Sequence, residues 1–278
     1  MQSREIGGLG EIADRYDVFL FDQYGVLHDG QRPYAGTLAV LARLAPRALI
    51  ITNSGKRAAA NRERLARLSI ARALYLDLLS SGEVAWSGLR DGSFGRPFAR
   101  GARACIVGRA GDSYGIDDLC LLPVERPAYA DVILILGSDA PATSLDRYSQ
   151  LLRPAAAIGV PALCCNPDRL MLTAQGLVPA PGAIAELYAA LGGPVRWIGK
   201  PHPEIYRAAL GLAGNPPPGR VLALGDSIEH DISGAAALGI ATALVGTGVL
   251  AGIGLAEIAA RCRAARCEPD WLLPELRW

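Results

Sequence analysis

Short apolar runs alternate with stretches of helical periodicity along almost the whole chain, and each run is the length of a strand. Asp17–Phe21 leads to Asp22, and Ala48–Thr52 leads to Asn53-Ser54-Gly55. Val195–Ile198 leads to Gly199-Lys200, and Val221–Leu224 leads to Gly225-Asp226. Continuous apolar strands separated by helices are what a parallel sheet covered on both faces requires, because such strands are buried on both sides. Helices are predicted around Leu38–Leu44, over Arg57–Leu68 with Arg and Glu on the wet face, and near Ile232–Leu238. The fold class is therefore α/β. In open sheets of this kind ligands bind outside the carboxyl ends of the strands, so the four polar strand ends are expected to converge on one site.

A second α/β pattern interrupts the first: strands at Ala104–Val107, Val132–Leu136 and Ala162–Cys165, with a helix over about Ser144–Ile158. It reads as an inserted domain whose boundaries fall at the Ser, Gly and Pro punctuation near Ser80 and Pro181. The expected organisation is a core of residues 1–80 and 181–278 with an inserted domain of residues 81–180. The Pro-rich Asn215–Gly219 is a helix-to-strand connection, and there is no internal repeat.

Composition narrows the function classes. With 51% hydrophobic and 20% charged residues in 278, the chain can bury a core and is not disordered. Lys+Arg 28 against Asp+Glu 27 leaves a net charge of +1 and no basic stripe, which argues against a nucleic-acid partner. The N-terminal MQSREIGGLGEIADRYD mixes charges and lacks an apolar signal core, and no apolar run approaches a membrane span, so a cytoplasmic protein without a membrane partner is expected. The six cysteines follow neither metal-ligand nor disulfide-framework spacing and are expected to be buried thiols.

Four segments carry chemistry. Phe19-Leu20-Phe21-Asp22-Gln23-Tyr24-Gly25-Val26-Leu27 resembles the first motif of the haloacid dehalogenase superfamily, in which an apolar strand delivers an Asp nucleophile. Ile51-Thr52-Asn53-Ser54 resembles the second motif, Gly199-Lys200-Pro201 the third, and Gly225-Asp226-Ser227-Ile228-Glu229-His230-Asp231 the fourth. The insertion between the second and third is similar to the α/β cap of the NagD-like subfamily of phosphatases. The resemblance covers nearly the whole chain. It implies a doubly wound, Rossmann-like core, a Mg²⁺ cofactor, a small phosphorylated metabolite such as a sugar phosphate or nucleotide as substrate, and a homodimer formed through the cap.

Residue by residue, the resemblance makes Asp22 the nucleophile that becomes an aspartyl phosphate, and Lys200 a positive charge that offsets repulsion between carboxylates and phosphate. Thr52, Asn53 and Ser54 would hold phosphate oxygens with Lys200. Asp22, Asp226, Asp231 and the backbone carbonyl of Tyr24 would surround the metal, in keeping with the oxygen ligands that Mg²⁺ takes. In the cap, Asn166-Pro167-Asp168 resembles the loop that faces substrate in relatives, giving Asn166 and Asp168 as candidate contacts. Each residue also has a plainer reading. Asp226 and Asp231 suit a helix start, Thr52 a helix cap, Asn-Pro-Asp a turn, and Gly246-Thr247-Gly248 a loop.

The chain departs from the pattern at Tyr24, where most phosphatases of the superfamily carry a second Asp as acid and base. Losing such a group typically costs about a hundred to ten-thousand-fold, most where the leaving group needs a proton. His28 and Asp29 are therefore candidates for the missing acid, and a preference for phenyl or acyl phosphates over alkyl phosphates is expected. Two alternatives follow from the same residue. One is a phosphate-binding or regulatory protein that turns over little. The other is a 2-haloacid dehalogenase-like hydrolase, whose first motif also carries Tyr but which works without metal and lacks the acidic fourth motif.

Overall fold

The computed structural model describes residues 3–173 and 176–278, and the chain divides into two units. The first unit comprises Met1–Thr52, Ala59–Leu79 and Lys200–Trp278; the second comprises Asn53–Ala58 and Ser80–Gly199. Among the described residues no helix is long and apolar enough to cross a membrane.

In chain order the first unit opens with β1 (Arg4–Glu5), β2 (Val18–Asp22), α1 (Thr37–Leu44), β3 (Ala48–Thr52), α2 (Ala58–Arg67) and β4 (Asp77–Ser80). The second unit supplies α3 (Ser81–Asp91), β5 (Arg103–Val107), β6 (Leu122–Pro123), β7 (Val132–Ile135), α4 (Leu145–Ala157), β8 (Ala162–Cys164), β9 (Leu170–Thr173), β10 (Gly176–Pro179), α5 (Pro181–Ala190) and β11 (Val195–Trp197). The chain then returns to the first unit with α6 (Pro203–Leu212), β12 (Val221–Gly225), α7 (Ser233–Ala236), β13 (Ala241–Val245), α8 (Leu255–Ala264) and β14 (Trp271–Leu273).

The first unit is built on a seven-stranded sheet of order β1-β14-β13-β12-β2-β3-β4. β2 lies between β12 and β3 in parallel register, with Leu20 opposite Ala223 on one side and Leu49 on the other. Every residue of β2, β3 and β12 is buried, as expected of strands covered on both faces. The parallel arrangement brings the carboxyl ends of β2 and β12, hence Asp22 and Asp226, to the same edge of the sheet.

The second unit has a five-stranded sheet of order β11-β8-β7-β5-β6 and a separate β9–β10 hairpin. Its strands alternate between two cores. Ile133 and Ile135 pack with Leu152 of α4 and Tyr188 of α5, while Val132 and Leu134 pack with Trp86 and Leu89 of α3. Cys164 faces the first cluster and Cys165 the second, and all six cysteines are free. Burial pushes both neighbouring thiols up, Cys164 to about 12, so they are core residues.

Two expectations are corrected here. β11 does not join the sheet that carries Asp22. It pairs with β8, and α5 packs Ile184, Ala185 and Tyr188 into the second unit's core. The later boundary between the units therefore falls at Gly199, beyond the break expected near Pro181. Pro181 marks a helix start, where a missing N–H costs nothing. The helix expected near Ile232–Leu238 is also different: a π-helical turn over Ile228–Ile232 precedes the short α7.

Leu20 is fully buried in the middle of the first sheet, whereas Leu38 on α1 is 39% exposed. Leu20→Ala is expected to cost about 2–5 kcal/mol and Leu38→Ala less than about 0.5 kcal/mol, read from midpoints of urea unfolding. Equal losses for the two would contradict the assignment of β2 to the centre of the core.

Candidate active site

In the first unit, β2 delivers Asp22, the chain beyond β12 delivers Asp226, the π-helical turn delivers Asp231, and Lys200 precedes α6. All four are buried. Lys200 Nζ donates to Asp22 Oδ1 at 2.5 Å and to Asp231 Oδ1 at 2.6 Å, so one ammonium joins two carboxylates from distant parts of the chain. The other Asp231 oxygen accepts from the Ser227 N–H at 3.1 Å. Asp226 Oδ2 accepts from the Val249 N–H at 2.8 Å. One oxygen from each of Asp22, Asp226 and Asp231 lies within 4.8 Å of the others.

Local folding explains why these carboxylates are free to meet. Ser227, not Asp226, caps the turn, its side chain accepting from the His230 N–H at 3.1 Å. Asp226 is thereby released from the capping role that its place before a helix suggested. Tyr206 of α6 buries its ring and donates its hydroxyl to the carbonyls of His230 and Asp231, at 2.9 and 3.1 Å. Two glycines crowd Asp226. A Cβ on Gly25, at φ +90°, would fall 2.1 Å from Asp226 Oδ2, and one on Gly248, at φ +58°, would fall 1.9 Å from the same atom. Only glycine lets both loops approach that carboxylate so closely.

The electrostatics follow from the count. Three buried carboxylates against one ammonium leave an excess of negative charge in a poorly solvated place. Burial drives the Asp22 carboxyl well above its ordinary range, and the neighbouring carboxylates add to the rise while Lys200 opposes it. Burial and the charge of Asp231 lift Asp226 to about 7. Burial works against the Lys200 charge, but Asp22 and Asp231 outweigh it and hold the ammonium well above its usual value. A hard divalent cation fits such a donor set: the three side chains offer only oxygen, and the excess negative charge is what a cation would neutralise.

Tyr24, two residues beyond Asp22, is 43% exposed and packs edge-on to the His28 ring with centroids 5.7 Å apart. Burial, then the charges of Asp29 and Asp226, raise its hydroxyl above the ordinary tyrosine value, so it carries its proton at neutral pH. His28 does not supply the missing acid. It is fully buried, its Nδ1 accepts from the Gly30 N–H at 3.0 Å, and its Nε2 lies 3.1 Å from the Gln23 amide. Burial, followed by the charge of Arg64, lowers it to about 4, which leaves it neutral near pH 7. Asp29 is no proton donor either. Its Oδ1 accepts from the N–H groups of Arg32 and Gln31, both at 2.8 Å, and these bonds hold the carboxyl below its usual range.

Thr52 ends β3, one residue past Ile51, which is the register partner of Asp22. The remaining candidates belong to the second unit. There the Asn53 side-chain amide donates to Asp168 Oδ1 at 2.8 Å, and the Asp168 N–H donates to Asn166 Oδ1 at 2.9 Å. Asn53, Asn166 and Asp168 thus brace one another. Ser54 accepts at its side chain from the Lys56 N–H at 3.3 Å and at its carbonyl from the Gly82 N–H at 3.0 Å.

The segment after β13, Gly246-Thr247-Gly248, is the loop that its sequence suggests, but its contact with the site was not expected. Thr247 donates to the Gly25 carbonyl at 2.6 Å, Gly248 abuts Asp226, and Val249 holds it. Tyr34 is half-buried and meets the Gly248 backbone with its hydroxyl. A signal was present, since Gly246-Thr247-Gly248 follows an apolar run at a fifth strand end.

The fold and the constellation define an α/β protein with an inserted domain and a buried carboxylate–lysine site, and both are similar to those of haloacid dehalogenase-like hydrolases. The HAD-hydrolase-like family model matches residues 197–278. D-Glycerol 3-phosphate phosphatase of Mycobacterium tuberculosis is 29% identical over 243 residues, covering 86% of this chain and 65% of its own length. Dihydroxyacetone phosphatase of Corynebacterium glutamicum is 35% identical over 92 residues, 33% of each chain. The chain thus spans less than two thirds of the length of these curated relatives. A haloacid dehalogenase-like hydrolase from Brucella suis superposes with a TM-score of 0.79 at 25% identity, over 98% of this chain and 99% of that one. A glycerol phosphate phosphatase from Mycobacterium tuberculosis, solved in complex with magnesium, superposes with a TM-score of 0.72 at 26% identity over 98% of this chain and 77% of that one. In sequence and fold the chain is thus similar to haloacid dehalogenase-like hydrolases.

The lowered His28 gives a pH signature. The unfolded histidine takes up its proton near 6.5 and the folded one only near 4, so between these values the unfolded state binds more protons and stability falls as pH drops. The stability advantage of wild type over His28→Gln should shrink by roughly 3 kcal/mol from pH 7 to pH 4, measured by urea unfolding at each pH. A constant difference would mean that the folded ring titrates as the unfolded one does, so that burial does not lower it.

Proposed function

We propose that the chain is a Mg²⁺-dependent phosphatase that hydrolyses a small phosphorylated metabolite through an aspartyl phosphate on Asp22. The observation that carries this reading is the buried Asp22–Lys200–Asp231 chain with Asp226 beside it. A site that only bound phosphate would gain nothing from three carboxylates, which repel it, and a halide-releasing site would have no use for the acidic pair around Ser227. The relatives named for glycerol 3-phosphate and dihydroxyacetone support a three-carbon phosphate ester as substrate.

In this reading Lys200 orients the Asp22 carboxylate and opposes the rise that burial imposes on it. An Asp22 oxygen attacks phosphorus in line, the new O–P bond forming as the bond to the leaving oxygen breaks. Water then attacks the aspartyl phosphate, releasing phosphate and restoring Asp22. Thr52 and the amides of Asn53 and Ser54, next along the chain, are the proposed holders of the phosphate oxygens. The Asp22 and Asp226 carboxylates and the Tyr24 carbonyl, with Asp231 behind them, would hold Mg²⁺. When bound, the ion offsets the charge of the carboxylates and of the transferring group. Tyr24 is a weak acid here, because its raised hydroxyl gives up a proton reluctantly.

Phosphate release from 4-nitrophenyl phosphate should require Mg²⁺, stop with EDTA, and fall by on the order of a thousandfold or more in Asp22→Asn. Release that survives Asp22→Asn would remove the aspartyl phosphate from the scheme. Tyr24→Asp supplies an acid at the position that lacks one. It should raise turnover of glycerol 3-phosphate relative to 4-nitrophenyl phosphate by about a hundredfold or more; an unchanged ratio would place proton donation elsewhere.

A further inference from the structure

The parallel sheet of the first unit has a second end. At the amino ends of β1 and β14, on the edge opposite Asp22 and Asp226, lies a cleft of about 600 Å³. Four arginines line it, Arg4, Arg15, Arg263 and Arg266, against two acids, Glu268 and Asp270. One of those acids is already committed, because Asp270 Oδ2 accepts from the Thr242 N–H at 2.8 Å and lies 3.3 Å from its hydroxyl. None of the four guanidiniums forms an ion pair among the described residues, in contrast to Arg57, Arg62, Arg103 and Arg220, which all find carboxylates.

One of the arginines is held in place. Arg15 lies over the Trp271 ring, 4.9 Å from its centroid, and Trp271 is itself fixed by a buried 2.8 Å hydrogen bond from Nε1 to the Tyr16 hydroxyl. Arg266 follows the end of α8 with φ +52°, a left-handed conformation that glycine adopts freely and arginine does not. The chain thus keeps a charged side chain where the backbone favours glycine.

We propose that this cleft is an anion site for a small molecule bearing two phosphate-type groups, separate from the carboxylate site at the other end of the sheet. The guanidinium fork matches phosphate oxygens in pairs, four such forks suffice for two phosphates, and the volume falls within the roughly 300–1,000 Å³ of small-molecule sites. Trp271 and Tyr16 are buried and present no ring face for a base to stack on, so the recognition rests on charge.

Titration calorimetry with pyrophosphate, on the full chain in EDTA, tests the site without metal at Asp22 and Asp226. Wild type should bind one equivalent, and inorganic phosphate should bind at least about tenfold more weakly. The Arg263→Gln/Arg266→Gly variant should lose at least about tenfold in pyrophosphate affinity while melting at or near the wild-type temperature, since glycine suits position 266. Asp22→Asn should bind as wild type does. No binding by wild type, undiminished binding by the arginine variant, or binding altered only by Asp22→Asn would each overturn the proposal. Equal affinity for phosphate would overturn the two-phosphate requirement.

Discussion

A single buried ammonium organises the first unit. Lys200 sits between Asp22, at the end of β2, and Asp231, on the π-helical turn, and without it these two carboxylates would face each other out of water. In a poorly solvated site that repulsion is worth several kcal/mol, and removing one partner of a buried pair commonly costs about 3–5 kcal/mol. The remaining negative charge is not removed by Lys200. It shows itself in the raised carboxyls of Asp22 and Asp226, and it makes the group a place for a cation as well as a strained piece of protein.

The supporting structure is arranged around that charge. Ser227 takes over the capping of the turn, Tyr206 fastens the backbone at Asp231, and the Val249 amide steadies Asp226. The donors that reach the carboxylates themselves are backbone amides, Val249 to Asp226 and Ser227 to Asp231, which stabilise a carboxylate without adding a competing full charge. The divergence at Tyr24 leaves this framework untouched, because its side chain lies outside the Lys200 network and only its charge environment is shared with Asp226.

Much of this was legible in the chain. Burial on both faces made β2, β3 and β12 visible as continuous apolar runs, and the polar residue closing each run marked the site edge. The assignment of β11 failed for a physical reason: a short apolar strand carries no information about which of two parallel sheets it will join, and β8 settled the matter by pairing. The capping role read into Asp226 failed because Ser227 next to it competes for the same turn. The approach of Gly248 to Asp226 was invisible because it depends on the backbone of a loop, which no periodicity reports. His28 looked available as an acid only while its burial was unknown.

The strand order has a consequence for biosynthesis. β2 emerges early, yet its neighbour on one side is β12, made after the whole of the second unit. The five strands of the second unit's main sheet, by contrast, all come from the stretch between Ser80 and Gly199. During synthesis that sheet has its full set of strands first, while the edge of β2 that will face β12 waits unpaired. An exposed apolar strand edge is where nascent chains associate wrongly. The interval between the translation of Asp22 and that of Val221–Gly225 is thus the period in which this chain most needs protection from its neighbours.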